Sequence, residues 1–467
     1  MSLFMLGAAV AEASGADART LQRRANEAFR TKEYAEARDA LQRLVRLRPE
    51  DALAHYNLAC ALARLGETEA ALDALEDAIG VGFINFHHMA HDKDLAPLRG
   101  EPRFQAVLLG WGELLDMRGE ADLESAREAL GPRYHYERDE MLRLNFASSL
   151  PAESFEAARA EIDRVAAYAD ARLFPQPDPD DPRADAWVTV ILPTPEDFVR
   201  FVPAEGVGGI YDRDRRILVT SDIGPSLRHE FLHVLHHRRM MRLGQTHPLW
   251  VQEGLGTLVE DLEEGPDGVE RAVPSWRTNI ARRLRDAGRL TPWRTLFALD
   301  DERFMRTRAN AQYAQARAVF MDLERRGALA EWLRNYEQTF DEDPTGVLAF
   351  ERTLGAPLAQ IEREHRDWLS GVPLVADVMR RAPVWLGVAL SGGAGDGLVV
   401  EDVVTRPREA GERLRPRDVI LSIDGRPVRT TQEVERVMGD LEPGDRVLLD
   451  VRRGTRRLSF EALVFRR

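Results

Sequence analysis

One cysteine in 467 residues, Cys60, excludes an internal disulfide framework. It falls within a helical pattern as a small apolar residue, so cysteine chemistry has no support either. No basic excess is present: 64 Lys and Arg face 78 Asp and Glu, a net charge of −14 spread along the chain. That balance argues against nucleic acid as a main partner and says little about substrate. No apolar run reaches the roughly 20 residues that span a bilayer, so no transmembrane segment is expected. The start, Met1 to Ser14, has a short apolar core ending in Ala11-Glu12-Ala13, like a secretory signal cut after Ala13. No Lys or Arg precedes that core. The expectation is an extracytoplasmic protein, periplasmic or secreted, with a cytoplasmic one as the alternative. A hydrophobic share of 44% and a charged share of 30% describe a soluble globular chain, long enough for about three domains.

The most informative stretch is His229-Glu230-Phe231-Leu232-His233, followed twenty residues later by Glu253. Apolar residues at 227, 231, 234 and 235 give an amphipathic helix with one buried stripe. On such a helix His229 and His233 lie on one face, where both imidazoles can bind one metal ion. Glu230 sits beside them, placed to take a proton from a water on that metal. A carboxylate from a second helix, Glu253, would complete a two-His, one-Glu zinc site that keeps one position open. Gly244 should end the first helix and Pro248 start the second. Arg238, Arg239 and Arg242 read as cations answering the helix macrodipole, and His236 and His237 as ordinary helix histidines.

The metzincin pattern would need Gly at 236 and His at 239, which are His236 and Arg239 here. The segment Trp250-Val-Gln-Glu253-Gly254-Leu-Gly256-Thr257 instead resembles the W-x-x-E-G-x-A segment of gluzincin metallopeptidases. In many of these an Asp four residues after the Glu orients a ligand histidine. Thr257 occupies that position, so another group must hold the ring.

An internal repeat covers residues 17–117. Ala25, Ala37, Leu41 and Leu44 recur as Ala59, Ala71, Leu75 and Ala78 at an offset of 34. This period resembles tetratricopeptide repeats, with Asp92 to Phe104 as an irregular cap. His87, His88 and His91, lacking flanking carboxylates, read as surface residues. One strand is expected over 134–146, then a helix through Phe155, Ala158, Ile162, Val165 and Leu173. A Pro- and Asp-rich loop follows at 175–182, then a buried strand at 187–192. Residues 206–220 read as a hairpin whose edge could pair with an extended substrate, and 276–370 as mainly helical. At the C-terminus, Trp385-Leu386-Gly387-Val388, Asp418-Val-Ile and Ile423-Asp424-Gly425 resemble a bacterial PDZ domain. By that resemblance Leu386, Gly387 and Val388 form the carboxylate-binding loop and Thr431 to Met438 the flanking helix.

Together these features imply a multidomain α+β chain. Residues 1–16 would be a signal or disordered, 17–117 a tetratricopeptide-repeat array, 118–382 a mixed α/β gluzincin-like zinc peptidase domain, and 383–467 a β-rich PDZ domain. The resemblance implies one Zn2+, held by His229, His233 and Glu253, with Glu230 as general base and Tyr313 as candidate oxyanion stabiliser. Expected partners are peptide or protein substrates, protein C-termini at the PDZ domain, and a protein at the repeats. The rival is a non-catalytic scaffold with a structural or vestigial zinc site, which would have no use for Glu230. Hydrolysis of a non-peptide bond stays open.

Overall fold

The computed structural model describes residues 3–174, 185–202, 207–306, 308–375, 384–391, 397–404, 413–428, 431–439 and 441–466, with side chains of the first helix from residue 17 onward. The expected loop at 175–182, Gly206 of the expected hairpin, and Ala410 and Gly411 of the segment that resembles a PDZ domain lie outside the described residues.

Six helices come first: α1 (Leu3–Thr31), α2 (Tyr34–Leu47), α3 (Ala52–Leu65), α4 (Thr68–Gly80), α5 (Phe86–His91) and α6 (Pro102–Leu130). Helices α2 and α4 start 34 residues apart, so the offset read in the sequence reappears as a structural period. All eight repeated positions, from Ala25 to Ala78, are buried. The five alanines among them let α1, α2, α3 and α4 pack each on the next, and the three leucines fill the core between. Asp51 caps α3 by accepting from Ala54 N at 3.0 Å, and Gly66 closes it in the left-handed conformation. The histidines of α5 do have a carboxylate nearby, contrary to expectation. His88 Nε2 lies 3.4 Å from Asp92, which also accepts from the Tyr56 hydroxyl at 2.7 Å.

Helix α6 belongs to two units at once. Phe104, Trp111 and Leu115 bury into the N-terminal core. Further along, Asp116 accepts from Trp187 Nε1 at 2.8 Å, and Gly119 O accepts from Asn145 Nδ2 at 2.7 Å. The expected boundary between 117 and 118 therefore falls inside one continuous helix.

The strand expected over 134–146 is instead a hairpin of β1 (His135–Asp139) and β2 (Leu144–Ser148). Asp139 Oδ1 accepts from Leu142 N at 2.9 Å, and Arg143 turns the chain with φ +50°. After α7 (Ala152–Arg172) come β3 (Val188–Leu192), α8 (Pro195–Phe201), β4 (Gly209–Asp212) and β5 (Ile217–Thr220). The sheet order is β1-β2-β3-β5-β4, with β2, β3 and β5 parallel and an antiparallel strand on each edge. Strand β3 is buried along its whole length, as a central parallel strand requires.

The chain then enters α9 (Pro225–Leu243) and α10 (Leu249–Leu258), a short hairpin of β6 (Leu262–Glu264) and β7 (Glu270–Ala272), and seven helices. These are α11 (Trp276–Asp286), α12 (Trp293–Phe297), α13 (Asp301–Arg306), α14 (Ala309–Arg325), α15 (Leu329–Thr339), α16 (Val347–Leu354) and α17 (Leu358–Gly371). Trp250 of α10 stacks between Phe297 and Phe320 and meets Trp332 edge-on, which locks α10 into this lobe.

The last unit contains β8 (Val384–Trp385), β9 (Val388–Ser391), β10 (Leu398–Val403), β11 (Val419–Ile423), β12 (Arg426–Pro427), α18 (Thr431–Met438), β13 (Arg446–Arg453), β14 (Arg456–Leu463) and β15 (Phe465–Arg466). Its main sheet runs β14-β13-β11-β10-β9, so β9 is an edge strand. Asp424 and Gly425 both have positive φ, +48° and +73°, the backbone a two-residue hairpin turn demands. Asp418 is buried because Arg453 grips both its oxygens, at 2.8 and 2.9 Å, while Arg415 N donates at 2.8 Å. Among the described residues no helix is long and apolar enough to cross a membrane.

Candidate metal centre

Helix α9 starts with Pro225 at its first position, and Gly244 closes it with φ +65°. Its apolar positions Leu227, Phe231, Val234 and Leu235 enter the main core. That burial fixes the opposite face, so His229 and His233 point together toward α10. Helix α10 follows Pro248 and delivers Glu253 to the same point. Gly254, next to Glu253, lets α10 lie flat on α14: a Cβ there would sit 2.5 Å from Phe320 Cε2.

His229 Nε2 lies 3.0 Å from His233 Nε2 and 3.1 Å from Glu253 Oε2; His233 Nε2 and Glu253 Oε2 are 3.6 Å apart. Ligands about 2.0–2.1 Å from a tetrahedral ion stand about 3.3 Å from one another. The observed 3.0, 3.1 and 3.6 Å edges bracket that value, so the three donors fit such an ion. His229, His233 and Glu253 are the group of potential metal ligands found among the described residues. His229 and Glu253 are buried, whereas His233 and Glu230 are partly exposed.

Two buried carboxylates, Glu253 and Glu260, dominate the electrostatics at this point. Burial would pull His229 down, but Glu253 and Glu260 outweigh it and push its pKa up to about 10. Burial would raise Glu253, yet His233 and His229 hold it well below the ordinary carboxylate range. Glu230 lacks such compensation: burial raises its pKa against the pull of the two histidines. A carboxylate poised in this way is a better proton acceptor than a free one. Gly209 of β4 makes room for it, since a Cβ there would lie 2.9 Å from Glu230 Cγ.

Glu260, which sequence reasoning did not name, holds the His229 ring. It lies just beyond α10, and its Oε1 is 2.9 Å from His229 Nδ1. In the neutral ring, with that nitrogen donating, Nε2 turns its lone pair toward the point it shares with His233 and Glu253. Burial pushes Glu260 up, but Arg277 and His229 outweigh it and bring its pKa to about 2. Thr257, at the position an Asp fills in many gluzincins, instead turns back on its own helix. Its hydroxyl donates to Glu253 O at 2.7 Å and Gly254 O at 3.0 Å. Tyr313, on α14, is partly buried. Its hydroxyl donates to Met305 Sδ at 3.4 Å, and burial followed by the Glu253 charge raises its pKa, which keeps it a donor.

Two other expectations change. Arg238, Arg239 and Arg242 are not simple dipole cations. Arg238 is buried and donates to Leu142 O, Arg143 O and Ala186 O; Arg239 grips both oxygens of Glu337; Arg242 pairs with Asp185. They tie α9 to the sheet and to α15. His236 is not an ordinary helix histidine either: its Nε2 meets His247 Nδ1 at 2.8 Å, and its ring stacks on Phe174.

In the C-terminal unit Leu386 and Val388 are buried, and Gly387 between them has φ +72°. Its carbonyl accepts from Val404 N at 2.9 Å, which fixes the loop at the start of edge strand β9. Residues 384–464 match the PDZ domain family. Two curated relatives match over short stretches. A chloroplastic protein of Arabidopsis thaliana is 32% identical over 83 residues, 17% of this chain and 25% of that protein. The magnetosome formation protease MamE of Magnetospirillum gryphiswaldense is 40% identical over 68 residues, 15% of this chain and 9% of that protein. The chain thus spans a quarter or less of the length of these relatives. Among solved structures, an aminopeptidase N family protein from Idiomarina loihiensis aligns over 71% of this chain and 67% of its own, at 14% identity and a TM-score of 0.29, too low to carry an argument. What the family match and the fold establish together is that the chain is a multidomain α+β protein whose residues 384–464 form a PDZ domain.

Proposed function

We propose that the chain is a zinc-dependent endopeptidase whose PDZ domain selects or presents substrates by their C-termini. The observation that carries the reading is the meeting of His229, His233 and Glu253 at one partly open point, with Glu230 alongside. A zinc ion held there would act as a Lewis acid for the scissile carbonyl and lower the pKa of water at that centre towards neutrality. Glu230 takes the proton of the attacking water and returns it to the leaving nitrogen. The Tyr313 hydroxyl donates to the oxygen on which negative charge develops. The free edge of β4 lays an extended substrate alongside Glu230 by backbone pairing. Gly387 and its neighbours offer backbone N–H groups to a terminal carboxylate, and β9 gives the peptide an edge to extend. The 34-residue helical repeats dock a protein partner, and the apolar start favours work outside the cytoplasm. The protease named among the relatives accords with this reading, though its match is short.

The test is Glu230→Gln in the full chain. The ligands are untouched, so one zinc per chain should stay bound, while turnover of an unfolded protein substrate falls about 10²- to 10⁴-fold. Full peptidase activity in that variant would refute the assignment of Glu230. A wild-type chain that binds zinc yet cleaves neither folded nor unfolded protein would favour a scaffold.

A further inference from the structure

Behind the three ligands lies a clamp whose parts come from three separate elements. Ser275 and Thr278 form a reciprocal cap at the start of α11: Arg277 N donates to Ser275 Oγ at 3.3 Å and Ser275 N to Thr278 Oγ1 at 2.9 Å. The cap fixes Arg277 in the first turn. From there its Nε donates to Glu260 Oε2 at 2.6 Å and its Nη2 to Glu260 Oε1 at 2.8 Å. Oε1 is the same oxygen that receives His229 Nδ1. A fork of this kind sets the plane of a carboxylate as well as its charge. The backbone of the turn is held independently, because Arg228 Nε, one residue before His229, lies 3.1 Å from both Val259 O and Glu260 O. On its other side the Arg277 guanidinium lies over the Tyr313 ring, 5.4 Å from the centroid.

From this geometry we infer that Arg277 is a positioning residue for the metal. Through Glu260 it sets the orientation and tautomer of His229, and its face braces Tyr313. The inference rests on the zinc reading above. It explains how the site manages with Thr257 where an acid would otherwise hold the ring. An unpaired Glu260 could rotate away from Nδ1, or donate rather than accept; the two-point grip forbids both. Ammonium in place of guanidinium would keep the charge and lose the plane.

The experiment measures the zinc dissociation constant of the full-length chain by chelator competition, with thermal melting and the visible spectrum of the Co2+-substituted protein as independent readouts. Arg277→Met should weaken zinc binding about 10- to 100-fold and alter the cobalt spectrum, in a chain that still melts cooperatively. Arg277→Lys should recover only a small part of that loss. Glu260→Gln combined with Arg277→Met should be little worse than either alone, since both break one linkage. Wild-type affinity in a folded Arg277→Met chain, even one with a lowered melting temperature, would overturn the inference. Should that variant fail to fold, wild-type affinity in both Arg277→Lys and Glu260→Gln would overturn it equally. A wild-type chain that binds no zinc would fail the functional reading itself, which is a different result.

Discussion

Helix α9 contributes to two histidine pairs, His229 with His233 on the helix itself and His236 with His247 of the turn that follows, and the buried members of the two pairs behave in opposite ways. The first, His229 with His233, meets Glu253 and Glu260. The second, His236 with His247, meets Phe174, Tyr336, Phe340 and the amide oxygen of Gln245. Burial alone lowers an imidazole's pKa, and the second pair shows that effect unopposed: His247 falls to about 4 and His236 well below its usual value. His229 is just as buried, yet its carboxylates carry it up to about 10. Clustered histidines are therefore not what makes this helix a candidate metal centre. The acids contributed by other elements are. His87, His88 and His91 teach the same lesson, since a single Asp92 beside them gathers no set of three ligands among the described residues.

The comparison breaks most visibly at the level of bound metal. His233→Ala leaves two protein ligands, so zinc content should fall from about one per chain toward none, and turnover with it. His236→Ala should cost roughly 1–3 kcal/mol of stability, through the emptied space beside Phe174 and the His247 nitrogen left without its partner. Its zinc content should match wild type. Elemental analysis of the two purified variants distinguishes them, and loss of zinc from the folded His236→Ala chain would erase the distinction drawn here.

Acid should sharpen it. In an unfolded chain both rear histidines take up protons near pH 6.5. The folded chain refuses them until about pH 4 at His247, and burial likewise holds His236 well below its usual value. Between those values the unfolded state binds more protons, so stability is full above pH 6.5 and drains as pH falls toward 4. Each unit of depression is worth about 1.4 kcal/mol. His247→Gln should be less stable than wild type at pH 7 but lose less on acidification. Urea midpoints at pH 7, 6, 5 and 4 measure the slope, and parallel slopes for the two chains would exclude the pair as its source.

What the sequence made legible follows from distance along the chain. Four-residue spacing is a local property of a helix, so His229 and His233 could be read directly, and Gly244 and Pro248 marked the turn that returns Glu253. Ile423-Asp424-Gly425, by contrast, was read only as part of the resemblance to a PDZ domain, and the hairpin turn it makes was not named. The strand expected over 134–146 failed for a local reason too, because Asp139 and Arg143 make a turn whose residues were treated as strand. Glu260 and Arg277 were out of reach. Their roles depend on where α10 stops and where α11 is capped, and on the packing that brings the two together. His236 and His247 are eleven residues apart and meet only because α9 and α10 fold back on each other. The clamps made by Arg238, Arg239 and Arg242 likewise depend on tertiary neighbours.

The smallest expected effect bears on the one residue where the sequence posed a question and the structure answered it elsewhere. Thr257 is fully buried one turn past Glu253 along α10, where an acid would be expected to hold a ligand ring. Its hydroxyl is spent on Glu253 O and Gly254 O, carbonyls within its own helix, so it offers His229 nothing. Back-bonding of this kind adds little to a helix and can bend it slightly. Thr257→Val keeps the shape and removes the hydroxyl. Stability should therefore change by about 1 kcal/mol or less, and the zinc dissociation constant should stay within about threefold of wild type, against the 10- to 100-fold typical of a lost ring-orienting partner. Chelator competition on the full-length variant decides the matter. A tenfold weakening would mean that Thr257 still supports the ligand set, and Glu260 would then be one of two supports instead of the replacement.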